Sequence, residues 1–579
     1  MSSLSCEDRS VYTLFSDVKT NILIPDYQRP YAWGDDECGT LWDDIINFTI
    51  PGGNNKDNFS DNDEYFLGPI VFFYNDDGQQ EIIDGQQRLT TLMLLLRAFH
   101  VKLGKKEDTS SRKIREQIEY CLWKVKKTDE NINTARLKIH SNVATDDEWE
   151  DFVRILTTGY ADSSMNSQYA KNYRFFQQRI DDYEKEYAGY SADVSERLMD
   201  NCFLLQIRAG NQDAALRIFS TLNDRGLPLS DSDIFKAQLY KFYSGIGKKE
   251  DFIKRWKNLE EKTKKYFKTS GNPMDELFAR YMYFQRAKRG TKLSTTEGLR
   301  KFYEKGDYEL FQTEETLKNL EDLVSFWEKV ATQDEEYFSS NDRVLRNLFV
   351  LNYAPNSMWY YFVSVYFLQN RDDKNNLDNE RFNQFLDKCI AFIWGFTVVR
   401  SVGVNMLRTP IYAEMINIVE NEPVTFSSYL FEQSGDQNIR SAFERFEFTN
   451  NRPITKAMLA WWAMRNQSQE KIPSLDTKFD IEHIFAKNSS VQLEKDENLE
   501  ALGNKSLLEP KINHKVTNFE FPKKKPFYKG ENRKCPKTVI EDLLDLAKKD
   551  DFLEKDIEER TREMISSFIQ YIADNRLLK

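Results

Sequence analysis

Paired cysteines are missing from this 579-residue chain: its six Cys stand far apart and form no CxxC. That excludes a zinc knuckle, a redox pair and a disulfide framework, and the six read as reduced thiols of a cytoplasmic protein. No apolar run approaches the roughly 18 residues that cross a bilayer, and Met1 to Ser10 carries acidic and polar groups where a signal peptide needs an apolar stretch. No membrane partner is expected. Internal repeats and low-complexity tracts are absent, which excludes a solenoid. Walker A and GxGxxG loops are absent too; Gly245-Ile-Gly247-Lys-Lys lacks the spacing and the hydroxyl residue, so any nucleotide needs another kind of site. An overall positive charge is also lacking: 81 Lys and Arg against 93 Asp and Glu leave a net of -12. Nucleic acid cannot coat the whole surface, which leaves room for a local basic patch.

What is present is a globular composition, 40% apolar, 14% aromatic and 30% charged, with 41 Phe and 28 Tyr. At roughly 150 residues per domain the length predicts two to four domains. Gly68 to Tyr74 reads as a strand, Asn75-Asp-Asp-Gly78 as a turn, Gln79 to Asp84 as a second strand and Leu89 to Val101 as an apolar helix. The Gly/Asn/Asp stretch from Pro51 to Glu64 has little to bury and is expected to be mobile. Beyond Ser110 amphipathic helices dominate, for example Tyr169 to Tyr187, Ala214 to Leu222, Ile234 to Tyr243 and Trp359 to Gln369, their aromatics serving mostly as core. Residues 161–168, 369–380 and 465–474 read as loops or linkers.

Asp84-Gly85-Gln86-Gln87-Arg88 falls where a strand gives way to a helix, a junction that aims free N–H groups and the positive end of the helix dipole at one spot. An anion suits it: Gly85 permits the turn, Arg88 offers a forked cation, and Gln86 and Gln87 offer neutral donors. Alone the block also fits a polar cap. Ile24 to Trp33 gathers Gln28, Arg29, Tyr27, Tyr31 and Trp33 around two prolines, either a stiff packed loop or a grip for a planar, phosphorylated ligand. Thr221 to Leu229 ends a helix with Asn223, Arg225 and Gly226, either as a plain turn or as a third part of the same site.

These three blocks, Tyr27-Gln-Arg-Pro-Tyr-Ala-Trp33, Asp84-Gly-Gln-Gln-Arg88 and Asn223-Asp-Arg-Gly226, resemble the signature of the N-terminal domain of GmrSD-type modification-dependent restriction proteins. The resemblance implies a ParB-like fold over about the first 240 residues that binds and hydrolyses a nucleoside triphosphate (GTP, ATP or another). Gln28, Arg29, Trp33, Asp84, Gly85, Gln86, Gln87, Arg88, Asn223 and Arg225 would line its site, with Asp84 orienting water or metal.

Only four histidines occur in the chain, and His483 and His514 lie close together beside its most basic part. Phe479 to Ile484 alternates like a strand, with Asp480, Glu482 and Ile484 on one face and Ile481 and His483 on the other. After it come Gly503-Asn504, Ile512-Asn513-His514 and Thr517-Asn518. An acid-His pair, an Asn on a second strand and an Asn or His on the next helix make the ββα-metal, or HNH, nuclease pattern. There His takes a proton from water while one divalent cation, Mg2+ or Mn2+, is held by hard oxygens. Glu482 and either Asn513 or His514 are the ligand candidates; Asn504 is expected to brace the loop that follows His483. From Lys505 to Lys537 ten Lys or Arg face three Glu, and Asn518, Lys523, Lys524 and Lys525 are the candidates for holding a DNA backbone. Taken singly, the lysines also fit a solvated turn and the Glu-His pair an ordinary surface pair.

This segment is similar to the C-terminal HNH domain of the same family in its fused, single-chain form. It departs in Phe485-Ala-Lys-Asn488, where the family often has Pro, and in Lys505, where Leu is usual. The resulting expectation is an α+β, largely helical chain: a ParB-like domain at 1–240, a helical connection at 241–400 and an HNH domain at 401–579. Its activity would be nucleotide-regulated, metal-dependent cleavage of modified phage DNA, such as hydroxymethylated, glucosylated or phosphorothioated DNA, with a homodimer as the candidate assembly. The alternatives are a nucleotide-switched DNA-binding protein with an inert nuclease domain, and an RNA-cleaving toxin.

Overall fold

A computed structural model describes the chain except residues 1–3, 53–55, 126–131, 144–147, 213, 216–217, 219–229, 270, 340, 401–403, 435–437, 466–468, 490–491, 517 and 533–534. It divides into two compact units, Met1–Lys257 and Asn258–Lys579. The helices from 258 to 400 fall in the second of these units.

The first unit is built on six strands: β1 (Ser5–Ser10), β2 (Ile22–Ile24), β3 (Tyr65–Tyr74), β4 (Gln80–Asp84), β7 (Ile139–Ser141) and β8 (Cys202–Arg208), while β5 (Trp123–Val125) and β6 (Ile132–Leu137) pair apart from them. The large sheet runs β1-β8-β3-β4-β2-β7 and is mixed: β3 pairs in parallel with β8 and antiparallel with β4, and β2 lies parallel to both β4 and β7. The hairpin β3-β4 follows from its turn residues. Asn75 Oδ1 accepts from Gln79 N at 2.9 Å, and Gly78, with φ of 73°, supplies the left-handed step. The helix Gln86–Leu103 has Leu89 and every residue from Leu92 to Leu96 fully buried. An apolar surface all the way round suits a central helix, and this one packs against the helices Thr109–Leu122 and Gln168–Glu186.

The stretch 51–64, expected to be mobile, is held along its described part. Arg197 donates to Thr49 O at 2.6 Å and Lys56 O at 3.0 Å and covers the Phe59 ring at 4.1 Å, and Asn201 donates to Asp61 O and Asp63 O. Partners about 140 residues away in sequence supply the order that local composition did not announce.

The second unit is helical apart from the antiparallel pair β9 (Asp480–His483) and β10 (Lys505–Leu508), in register His483↔Lys505 and Asp480↔Leu508. The helices Pro510–Val516 and Phe521–Tyr528 follow, and Glu554–Asp574 closes the unit against the approach to β10. Gly503 permits that closure: a Cβ there would lie 2.6 Å from Thr561 N, and Gly503 N donates to Thr561 Oγ1 at 3.0 Å. Among the described residues no helix is long and apolar enough to cross a membrane.

Candidate functional site

In the first unit the blocks 27–33 and 84–88 come together at the end of β4. Gly85, with φ of 93°, stands just before the helix Gln86–Leu103, and a Cβ at that position would press on Ile70 at 3.1 Å. Gln87 ties the blocks. Its Nε2 donates to Pro30 O at 3.1 Å and its Oε1 accepts from Ala32 N at 2.8 Å and Trp33 N at 3.2 Å. Gln86 Nε2 donates to Arg29 O at 2.9 Å, and Gln28 Nε2 donates to Ile83 O at 3.0 Å. Asn172 closes the loop from the helix Gln168–Glu186, donating to Tyr31 OH at 2.9 Å and Trp33 O at 2.7 Å. Sequence reasoning missed Asn172, because nothing in its own neighbourhood points to residues about 140 positions earlier.

Gln87 is buried with both ends of its amide bonded to the loop, which makes it a brace between the two blocks. What faces outward is smaller: Arg29 is exposed, and Asp84, Gly85, Arg88, Gln28 and Trp33 are half-buried. Arg88 Nη1 donates to Pro69 O at 3.0 Å. Burial lowers the Arg88 pKa; burial also raises that of Asp84, against the pull of the Gly85 amide, Arg88 and Arg29. Among the described residues Gln86 Oε1 is buried without a hydrogen-bond partner, and an orphaned acceptor beside a helix N-terminus and two arginines fits a ligand that brings both donors and negative charge. Asn223 and Arg225 lie outside the described residues.

In the second unit β9, β10 and the helix Pro510–Val516 assemble the other cluster. His483 ends β9, 9% exposed, with Nε2 3.4 Å from Glu500. Burial first, then the charges of Lys487 and Lys505, lower its pKa to about 4 against the opposing pull of Glu500, so the imidazole is neutral at pH 7. Burial acts to raise Glu500, but hydrogen bonds from Lys487 and Lys505, both at 2.7 Å, outweigh it and hold the carboxyl at about 2. Lys505 itself is fully buried and also donates to Phe448 O at 2.6 Å. Sequence reasoning passed over Glu500, which sits in a 3-10 turn 17 residues from His483 with no motif around it.

Asn504, fully buried, clasps the segment after His483. Its Oδ1 accepts from Phe485 N at 2.7 Å, its Nδ2 donates to Leu499 O at 2.8 Å and Phe485 O at 3.3 Å, and its carbonyl accepts from Ile484 N at 2.8 Å.

Two expectations are corrected here. Lys524 is fully buried, its ammonium 2.7 Å from Glu482 Oε1 and hydrogen-bonded to His483 O, so it does not reach a DNA backbone. Glu482, which also accepts from Tyr528 OH at 2.7 Å, is already neutralised and does not fit as a cation ligand. The donors that do fit a hard cation are those of Asp480, whose Oδ2 lies 3.5 Å from Asn513 Nδ2 and 4.0 Å from His514 Nε2. Among the described residues no group of three or more His, Cys, Asp and Glu is placed to hold a metal ion, so Asn513 would have to complete this set. Of the remaining candidates for the DNA backbone, Lys523 is exposed, Lys525 is half-buried on Lys549 O, and Asn518 is exposed beside Asn488 at 3.4 Å.

Residues 11–240 match the family described as the GmrSD restriction endonuclease N-terminal domain, and residues 433–567 match the GmrSD restriction endonuclease C-terminal domain. No curated protein matches the chain.

Proposed function

We propose that this GmrSD-type chain, which its two matched domains mark as a DNA endonuclease of a restriction or defence system, cuts by HNH chemistry in its C-terminal unit under the control of a nucleoside triphosphate held in its N-terminal unit. The observation that carries the reading is His483: a buried, neutral imidazole at the end of a β-β-α assembly, its loop fixed by Asn504 and its ring faced by Glu500. A neutral imidazole accepts a proton from water, and an adjacent carboxylate stabilises the imidazolium that results. Asp480, with Asn513 and His514, would hold Mg2+ or Mn2+, which when bound neutralises charge on the phosphoryl oxygens. Lys523 and Asn518 hold the backbone without reading sequence.

For the nucleotide, Arg29 and Arg88 take the phosphates at the N-terminus of the helix Gln86–Leu103, Gln86 Oε1 accepts a donor from the ligand, and Asp84 orients water. The family resemblance supports modified foreign DNA as substrate. An unregulated nuclease would attack its own genome, which gives the nucleotide its place as a gate.

A second reading has a specific observation behind it. With Glu482 bound to Lys524 and Tyr528, the acid-His pair lacks its expected metal ligand, which favours a nucleotide-switched DNA-binding protein with an inert nuclease. Plasmids with and without base modification, incubated with Mg2+ or Mn2+ and with or without each nucleoside triphosphate, decide between them. Cutting by wild type that His483→Ala abolishes and Arg29→Ala makes nucleotide-independent supports the first; DNA binding with no cutting under any condition supports the second.

A further inference from the structure

The second unit holds a cavity of about 530 Å3 next to β9. Its walls include Tyr266, Trp327, Tyr353, Trp359, Tyr360 and Phe479, while Asp480, the first residue of β9, and Pro510, the first of the helix Pro510–Val516, stand at its edge. Volume and lining suit an organic ligand that has both a flat face and polar groups, because the aromatic side chains share the wall with charged ones such as Lys268, Lys456 and Lys478. The wall is rigid. Trp359 stacks on Tyr360 at 4.0 Å, and behind them the Arg280 guanidinium, paired with Glu276 at 3.0 Å, lies 4.5 Å from the Trp327 ring and 4.6 Å from that of Tyr360. It is not simply core, since Tyr266, Tyr353 and Tyr360 keep part of their surface in solvent.

One cation in this wall points to the occupant. Lys456 is half-buried; among the described residues its ammonium makes no hydrogen bond or salt bridge, and what lies near it is the Tyr353 ring at 5.9 Å and the charge of Asp480. A half-buried ammonium beside stacked rings fits a flat ring attached to a phosphate. Asp480 links this cavity to the cluster already described, because its carboxylate is the group that faces Asn513 and His514. One short strand thus carries the cavity edge at one end and His483, about 10 Å away at ~3.3 Å per residue, at the other.

Resting on the nuclease reading above, we propose that this cavity receives a nucleobase swung out of the DNA duplex. The base would stack among Tyr353, Tyr360 and Tyr266, with Lys456 on its backbone phosphate. Extrusion is opposed by unstacking and unpairing and is easiest for a base that is already unpaired.

The test uses the full chain, without added metal, and two otherwise identical duplexes: one carrying 2-aminopurine opposite thymine, the other the same base as a single-nucleotide bulge. Wild type is expected to bind the bulge at least tenfold more tightly than the paired duplex and to quench its fluorescence by stacking. Tyr353→Ala and Lys456→Met should each weaken bulge binding roughly tenfold and leave paired binding unchanged, while Tyr353→Phe, which keeps the ring, should bind as wild type does. Equal binding of both duplexes by wild type, or variants that bind the bulge as wild type does, would overturn the proposal. So would tight binding of free 2′-deoxyadenosine monophosphate without preference for the bulge, which would make the cavity a small-molecule site. Failure of the nuclease reading looks different: bulge binding that depends on Tyr353 in a protein that cuts no DNA.

Discussion

Lys524→Met removes the ammonium that neutralises Glu482 while keeping the side chain's length. Lys524 is fully buried and the Glu482 side chain is 3% exposed, so the carboxylate left behind is stranded in the interior with one hydroxyl donor, Tyr528. Breaking a buried ion pair on one side costs about 3–5 kcal/mol, because an uncompensated charge remains. The double variant Lys524→Met with Glu482→Gln removes both charges and leaves an amide that still accepts from Tyr528; it should regain most of the loss. Hydrogen exchange over 480–483 and 521–528 in the intact chain reads this locally, without assuming that both units unfold together. DNA binding supplies the counter-test. A lysine on a phosphate contributes ~0.9 to the slope of log affinity against log salt, so Lys523→Met should lower the slope by about that amount and Lys524→Met should not change it. Near-native exchange in Lys524→Met together with a slope reduced by about one would refute the reasoning and return Lys524 to the DNA surface.

Asn504→Ala removes the clasp on Phe485 and Leu499 and strands buried backbone groups, costing about 1–3 kcal/mol by thermal melt and lowering cleavage; Asn504→Asp keeps the acceptor for Phe485 N but turns a buried carboxylate toward the Leu499 and Phe485 carbonyls and should lose at least as much. Gln87→Leu should release the 28–33 loop from the helix Gln86–Leu103, seen as faster amide exchange at Ala32 and Trp33; unchanged exchange there would show that Gln87 does not pin the loop. Because the pKa of His483 falls from an ordinary 6.5 to about 4, the acid limb of the cleavage-pH profile should lie near 4; a limb near 6.5 would mean an exposed imidazole. The stability sign follows from the same values. The unfolded chain takes up the His483 proton below about 6.5 and the folded chain only near 4, so this contribution is complete above 6.5 and is lost on acidification between them; Glu500, held at about 2 against an ordinary 4.5, adds a loss in the next window down.

How much of this was legible depended on where the partners lie in sequence. The hairpin Tyr65–Asp84, with its Asn-Asp-Asp-Gly turn, and the helix after it were readable because strand, turn and helix signals are local. The same holds for β9 and for Asn504 as a brace. What could not be read were side chains whose roles are set from a distance: Asn172 on the Tyr31–Trp33 loop, Arg197 on 49–59, Tyr528 and Lys524 on Glu482. Lys523-Lys524-Lys525 shows the limit most sharply. Three identical residues in a row read as one basic patch, yet the turn of the helix Phe521–Tyr528 sends one into solvent, one into the interior and one to a carbonyl.

Lys505 carries the argument furthest, because its burial has to be compensated. A buried ammonium is tolerated only with acceptors around it, and Phe448 O and Glu500 provide them. Glu500 cannot then be assigned to His483 alone. Its carboxyl is shared among Lys505, Lys487 and the imidazole, and each cation that holds it also lowers the His483 pKa through its own charge. Glu500→Gln should therefore act twice, withdrawing the carboxylate that raises the His483 pKa and leaving Lys505 buried without a counter-charge. Because Lys505 itself lowers the His483 pKa, the double variant Lys505→Leu with Glu500→Gln isolates the first effect only when compared with Lys505→Leu alone. If the double variant folds like that single variant while its cleavage profile lies at lower pH, Glu500 acts on the base. If the two profiles coincide, Glu500 serves only to hold Lys505.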